Sequence, residues 1–274
     1  GTGVCRPADS GGRVNTTLGS SITFQKELNL SSTSWYVAPS NFWGRLPEDT
    51  HAALSTRGNT VRFKKGVPIF RAGSGGDHVY ILTEGRVKVY ALSSFGRAVI
   101  LWFCLPGEMF GLAEMARGGE RVVYAEACSD IEALVIPRDR FRAFLESDIS
   151  VAMLVVDMLS CRLRGLTETV LNLIADDVNT RVVKLLLRLS QRYGVPMADG
   201  SRQLDIPLTH QEMADMIGTT RQSVSSVINE LKQQGLLTVS GHRICLRDDH
   251  CLEARLDAAP PSTADAARPV AVVR

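Results

Sequence analysis

Thr220-Arg221-Gln222-Ser223, followed by Ser225 and Ser226, groups short polar side chains around one arginine. These are groups that can read the edges of nucleic-acid bases. A guanidinium can bridge guanine O6 and N7, and a primary amide can bridge adenine N6 and N7. Hydroxyls bind phosphates or bases. The spacing around them is equally informative. Thr209 with Glu212 three residues on forms a capping box, which starts a helix. Met213, Ala214 and Ile217 give that helix a buried stripe, with Ala214 small where a second helix must approach. Gly218 supplies a left-handed turn residue. Thr220 caps the next helix, and Val224, Val227, Ile228 and Leu231 bury its inner face. The pattern predicts a helix-turn-helix whose DNA contacts are Thr209, Gln211, Thr219, Thr220, Arg221, Gln222, Ser223, Ser225 and Ser226. Two strand-like runs, Leu236 to Val239 and Arg243 to Leu246, flank Ser240-Gly241-His242, as a β-hairpin wing would.

These groups need a scaffold. Between Thr60 and Ile136 the chain carries short runs rich in β-branched and aromatic residues: 61–63, 68–70, 78–82, 86–90, 99–103, 122–124 and 131–136. Glycines separate them, and Gly85, Gly96, Gly107 and Gly118 fall 11 residues apart. That rhythm predicts an antiparallel β sandwich or roll. A short helix over Leu46–Leu54 precedes it, with Pro47, Glu48 and Asp49 suited to its first turn. After Pro137 the period becomes helical. Arg138–Leu145 is a short helix. Then Ala152, Val156, Leu159, Leu163, Leu166, Val170 and Leu173 are spaced 4-3-4-3-4-3, a heptad seam. Parallel pairing along Val156 to Leu173 would make a homodimer; a helix packed only on its own domain is the alternative. Val178–Tyr193 is a further amphipathic helix, stopped by Gly194 and Pro196, and Leu204-Asp205-Ile206 reads as a short strand.

Bulk properties set limits. The 274 residues carry a net charge of +2, with 45% hydrophobic and 22% charged residues, a globular mix. Nine basic and nine acidic residues lie between Asp176 and Asp249, so a DNA reading rests on motif rather than charge. No apolar run reaches the ~18 residues of a membrane span, and the start lacks a secretory pattern; no membrane partner is expected. None of the six cysteines forms a C-x-x-C pair, which argues for reduced thiols in a cytoplasmic protein and against a zinc or disulfide framework. No nucleophile–base pair, metal-ligand spacing or phosphate-cradling glycine loop is present, so an enzyme is not expected.

From about Leu46 to Leu246 the chain resembles the Crp/Fnr superfamily of bacterial transcription regulators. In the β region the likeness rests on Gly66, Phe70, Gly73, Val79-Tyr80-Ile81-Leu82, Glu84-Gly85-Arg86-Val87 and the turn Leu105-Pro106-Gly107-Glu108-Met109-Phe110-Gly111. For members that respond to cAMP, the resemblance implies a phosphate site of backbone N–H groups beside a short helix, paired by an arginine. Gly111 and Arg121 fall at those positions. Leu112 stands where a glutamate would bind the ribose, followed by Ala113, and Glu114 could substitute only if the loop shifts. Val122 replaces a hydroxyl residue after the arginine. On the dimer helix Leu166 replaces the first of two hydroxyl residues that meet adenine, and Thr167 keeps the second. Apolar groups there leave the nucleotide's polar atoms unpaired, so cAMP is not expected to bind in the familiar manner and the effector stays unassigned. Iron–sulfur members need an N-terminal cysteine cluster, where this chain has only Cys5. Haem members carry Cys and His ligands after the turn, where this chain has Gly111-Leu112-Ala113. Neither cofactor is expected; His78 and Cys104, lone residues on strands, read more readily as structural than as ligands, and a redox role for Cys104, Cys128 or Cys161 stays open with no spacing to support it. The recognition helix departs too: the family's Arg-Glu, with a further Arg four residues after that Glu, is here Arg221-Gln222 and Ser226, which implies an altered half-site.

The resulting expectation is an α+β chain: a disordered extension (1–40), a jelly-roll-like antiparallel β-roll (41–147), a dimerisation helix (148–175), a winged helix-turn-helix (176–250) and a flexible tail (251–274). It would bind double-stranded DNA as a homodimer, and RNA polymerase if it activates transcription. The rivals are a cAMP-responsive regulator with a divergent pocket, a constitutive factor with a vestigial pocket, and a ligand-binding module that signals through a protein partner. The polar outer face of the recognition helix argues against the last, since it offers no apolar patch for docking.

Overall fold

The computed structural model describes residues 41–257, apart from 242 and 248. The extension over 1–40 and the chain beyond 257 lie outside the described residues. The fold is α+β. A 3-10 turn (Trp43–Arg45) and α1 (Glu48–Ser55) lead into eight strands: β1 (Asn59–Phe63), β2 (Pro68–Phe70), β3 (His78–Glu84), β4 (Val87–Leu92), β5 (Ala98–Cys104), β6 (Met109–Phe110), β7 (Tyr124–Ala127) and β8 (Ile131–Pro137). They form two antiparallel sheets, ordered β1-β8-β3-β6 and β2-β7-β4-β5.

Strand β3 explains how the roll is built. Val79 and Ile81 join one apolar cluster with Leu134, Phe141 and Val155. Tyr80 and Leu82, on the opposite face, join another with Val87, Val89 and Phe110. The period of two thus feeds two cores: one between sheet and helices, one between the sheets. A fully buried side chain such as Ile81 or Phe141 contributes roughly 1.5–3 kcal/mol. Two sequence expectations shift here. β6, only two residues long, is too short to leave a periodic signal. β7 begins at Tyr124 rather than Val122, because Ala125 and Ala127 are the residues packed inward while Val122 is 73% exposed.

The helical half follows. α2 (Arg138–Ser147) is succeeded by α3 (Ile149–Ala175), whose N-cap Asp148 accepts from the backbone N–H groups of Ser150 and Val151 at 3.0 and 3.2 Å. Val151, Val155 and Met158 pack on the roll, while Ile149, Met153, Val156, Leu159, Leu163, Val170 and Leu173 form an exposed apolar stripe. α4 (Val178–Tyr193), capped by Asp177, lies under a third sheet of order β11-β12-β10-β9. Its strands are β9 (Gly194–Pro196), β10 (Arg202–Leu204), β11 (Leu237–Ser240) and β12 (Arg243–Leu246). The strand expected at Leu204–Ile206 is therefore displaced: β10 pairs with β12 through Arg202 and Gln203, and with β9 through Arg202–Leu204.

Between β10 and β11 run α5 (His210–Ile217) and α6 (Arg221–Gln233). The reading of 251–274 as a tail fails at its start. α7 (Asp249–Asp257) continues the folded part: Leu252 is fully buried, and the Asp249 carboxylate accepts from the Ser190 hydroxyl at 2.9 Å. A nine-residue helix with a weak apolar stripe leaves little periodicity to detect.

Candidate DNA-binding and effector sites

The helix pair α5–α6 is set by local chemistry. Thr209 Oγ1 accepts from the Glu212 N–H at 3.1 Å, and the Glu212 carboxylate accepts from the Thr209 N–H at 2.8 Å, completing the capping box. Gly218 ends α5 with φ +64°, a conformation that strains any residue with a Cβ. Thr220 caps α6, accepting from the Ser223 N–H at 3.2 Å. Met213, Ala214, Ile217, Val224, Val227, Ile228 and Leu231 are buried between the helices and the third sheet.

Of the residues expected to meet DNA, Thr209, Gln211, Thr220, Arg221, Gln222 and Ser226 are exposed, and Ser223 and Ser225 half-buried. Several are already engaged. Gln211 donates to Asp215 at 2.8 Å, and Ser225 Oγ lies 2.7 Å from His210 Nδ1 while donating to the Arg221 carbonyl. Thr219 departs from expectation: it is buried, and its carbonyl accepts from Arg97 at the start of the β4–β5 hairpin's return. Sequence reading also missed two polar partners of the motif. Arg86 on the roll reaches Glu212 at 3.0 Å, and His210 holds Ser225. Ile100 and Phe103 of β5 share the apolar core of the helix pair.

The second region surrounds Gly111. Its φ is +77°, and a Cβ there would sit 3.1 Å from Arg121 Nη1. Arg121 is only 3% exposed. Its Nη1 donates to Glu114 Oε2 and its Nη2 to the His78 carbonyl, each at 2.5 Å, with the guanidinium 4.4 Å over the Phe70 ring. Burial pushes the neighbouring Tyr80 hydroxyl up, against the charge of Arg121. Residues 113–117 form turns rather than a helix. Leu112 is in the apolar core, Ala113 and Val122 are exposed, and Thr167 is exposed with its hydroxyl on the Leu163 carbonyl. Leu166 is half-buried, against a cavity beside β5.

Residues 60–148 match the family described as Cyclic nucleotide-binding domain, and residues 180–255 match Crp-like helix-turn-helix domain. The Nitrogen fixation regulation protein FixK of Azorhizobium caulinodans is 30% identical over 229 residues, covering 80% of this chain and 90% of that protein. The chain belongs to the Crp/Fnr family. The CRP-like cAMP-activated global transcriptional regulator of Mycobacterium tuberculosis is 29% identical over 204 residues, covering 74% of this chain and 91% of its own length. The solved structure of FixK2 from Bradyrhizobium japonicum superposes with a TM-score of 0.65 at 29% identity, covering 74% of this chain and 98% of its own. This Crp/Fnr protein is thus a transcription regulator with a helix-turn-helix, and not an enzyme.

The family implies a cyclic nucleotide, and these residues do not fit one in the familiar manner. The arginine that would meet the phosphate is buried and holds a carboxylate of its own chain, and the segment after Gly111 forms turns over 113–117 rather than a helix. Thiolate chemistry at Cys104 fits poorly as well. Burial pushes the Cys104 thiol up to about 12, so it carries almost no thiolate at neutral pH. Among the described residues no cluster of His, Cys, Asp and Glu could hold a metal ion, and no helix is long and apolar enough to cross a membrane.

Proposed function

We propose that the protein works as a cytoplasmic homodimer that binds a palindromic DNA site through α6, without cAMP bound in the familiar way. The observation that carries this reading is the capped start of α6, with Arg221, Gln222 and Ser226 exposed together on its outer side. Two such helices would enter successive major grooves about 34 Å apart. Arg221 reads a guanine there, while Gln222 and Ser226 alter the rest of the half-site. RNA polymerase becomes a partner where the protein activates transcription.

The working division is a roll over 41–147, a dimer helix over 148–175 and a DNA-binding part from 176 to the end of α7. Dimer pairing would use Val156, Leu159, Leu163, Leu166, Val170 and Leu173, supported by the exposure of all but Leu166, and would extend to Ile149 and Met153. The Mycobacterium relative is cAMP-activated. That property is not carried over, because Glu114 occupies Arg121 and Leu112, Val122 and Leu166 are apolar.

The test is a mobility shift at fixed salt on DNA from the protein's own promoter region, with and without cAMP. Equal, tight binding in both lanes is expected. A cAMP-dependent gain would show that the pocket opens to the nucleotide despite Glu114. The dimer is tested by sedimentation of Leu163→Asp. A charge forced into an apolar seam should weaken association by about 3 kcal/mol or more, over 100-fold; an unchanged dimer would rule out the seam.

A further inference from the structure

The β4–β5 hairpin of the roll sits directly against the helix pair. Arg97 donates to the Thr219 carbonyl, Arg86 pairs with Glu212 at 3.0 Å, and Ile100 and Phe103 share the apolar core of α5 and α6. Polar and apolar contacts together fix the hairpin beside the motif. Its turn is itself ordered. The Ser93 N–H donates to the Arg97 carbonyl and the Gly96 N–H to the Ser93 carbonyl, both at 2.9 Å, and the Arg97 N–H donates to Ser93 Oγ at 3.1 Å. Gly96 takes the left-handed position, with φ +73°. On this turn Ser94, Phe95 and Arg97 are exposed, and the Phe95 ring is 95% exposed.

The hairpin lies close to the place where α6 would meet DNA. Thr219 precedes Arg221 by two residues, a span of about 7 Å at most. The major groove is about 12 Å wide. With the start of α6 in that groove, a group bonded to the Thr219 carbonyl lies at the groove wall, where the sugar–phosphate backbone runs. Phe95 stands two residues further toward the hairpin tip.

The charge suits such a neighbour. Neither Asp nor Glu occurs from Gly85 to Gly107 or from Met216 to Asn229, so no carboxylate of either segment opposes a phosphate. Glu212 is paired with Arg86, and Lys88 with Glu126 at 2.8 Å. Arg97 Nη2 meets a carbonyl rather than a carboxylate, which leaves its positive charge to act on an incoming anion. A guanidinium fork fits phosphate geometry, and hydroxyls bind phosphates.

We propose that the β4–β5 hairpin is a second DNA-contact site, on the roll itself. Arg97 and the Ser94 hydroxyl hold a backbone phosphate beside the half-site that α6 reads, and Phe95 lies over the adjoining sugar. The site carries no base preference of its own. It rests on the reading of α6 as the DNA-reading helix.

Fluorescence anisotropy tests this with the full chain, on a duplex from its own promoter region and a random-sequence duplex of equal length. Salt is varied between about 50 and 200 mM. Arg97→Gln, which can still donate to Thr219, should weaken both duplexes alike, by about tenfold. It should also reduce the slope of log affinity against log salt by about 0.9. Loss of a purely structural contact would weaken binding with the slope unaltered. Phe95→Lys changes a side chain that the folded protein leaves uncovered. It should tighten both duplexes and steepen the slope by about 0.9. Unaltered slopes in both variants would overturn the proposal, and a wild type that still prefers the promoter duplex would keep α6 as the reader. Tighter binding by Arg97→Gln would overturn it too, because the hairpin would then hold the motif away from DNA. A wild type that binds neither duplex would remove the contact together with the reading of α6.

Discussion

Arg121 and Arg221 stand for two opposite treatments of the same side chain. Arg121, in the roll, is almost wholly buried, with one nitrogen on Glu114, another on the His78 carbonyl and its plane on Phe70. Arg221 lies exposed in the first turn of α6, where the backbone is held by Thr220 and Gly218. One arginine has its anion supplied by the chain; the other is presented outward. A guanidinium in this fold is therefore not evidence of a ligand site by itself. What matters is whether a carboxylate of the same chain reaches it first.

Three substitutions would break or sharpen that contrast. Glu114→Ala should have the largest effect, because it leaves Arg121 buried without its anion, at a cost of about 3–5 kcal/mol. The midpoint of urea unfolding reads this directly. Replacing both partners, as Glu114→Leu with Arg121→Met, should recover most of the loss; a single variant as stable as wild type would mean the pair does not close the region. Arg221→Ala should leave the unfolding midpoint alone and weaken DNA binding by about 1–3 kcal/mol, relaxing one base position. Wild-type affinity for the best site would remove Arg221 from the reading. The smallest effect is expected from Asp177→Ala, which removes the N-cap of α4 beneath the helix pair and should cost about 1 kcal/mol. The backbone N–H of Thr180 holds the Asp177 carboxyl below its usual range. Its contribution is thus present above the unfolded-state value and lost as pH falls through the lower folded-state one. Thermal melts from neutral pH downward should show wild type and variant converging in acid; a constant gap would contradict the cap.

The contrast also marks how far the sequence could be read. The helix pair was legible because its determinants lie within three residues of one another: Thr209 with Glu212, Gly218 directly after Ile217, Thr220 with Ser223. The roll's strands and the long helix were also legible from local spacing, a period of two with turn glycines in the strands and a 4-3 repeat in the helix. The region around Gly111 was legible only as a set of departures. Glu114 meets Arg121 across a turn whose shape depends on Gly111, Gly118 and the packing of Leu112 in the core. Arg97 on Thr219 and Arg86 on Glu212 join residues more than 120 positions apart, and no local period encodes such a pairing. For α7, the deciding contact is Leu252 entering a core assembled from α4, α6 and the third sheet.

Glu212 serves two masters: it closes the cap of α5 and it takes Arg86 from the roll. Any movement of the β3–β4 corner that withdraws Arg86 is felt at the first turn of the helix pair, and the reverse holds with equal force. Coupling free energy between two events is symmetrical. On the proposed function, DNA that favours one setting of α5 and α6 would therefore be felt through Glu212 and Arg86 at the β3–β4 corner, so that the operator itself acts on the roll.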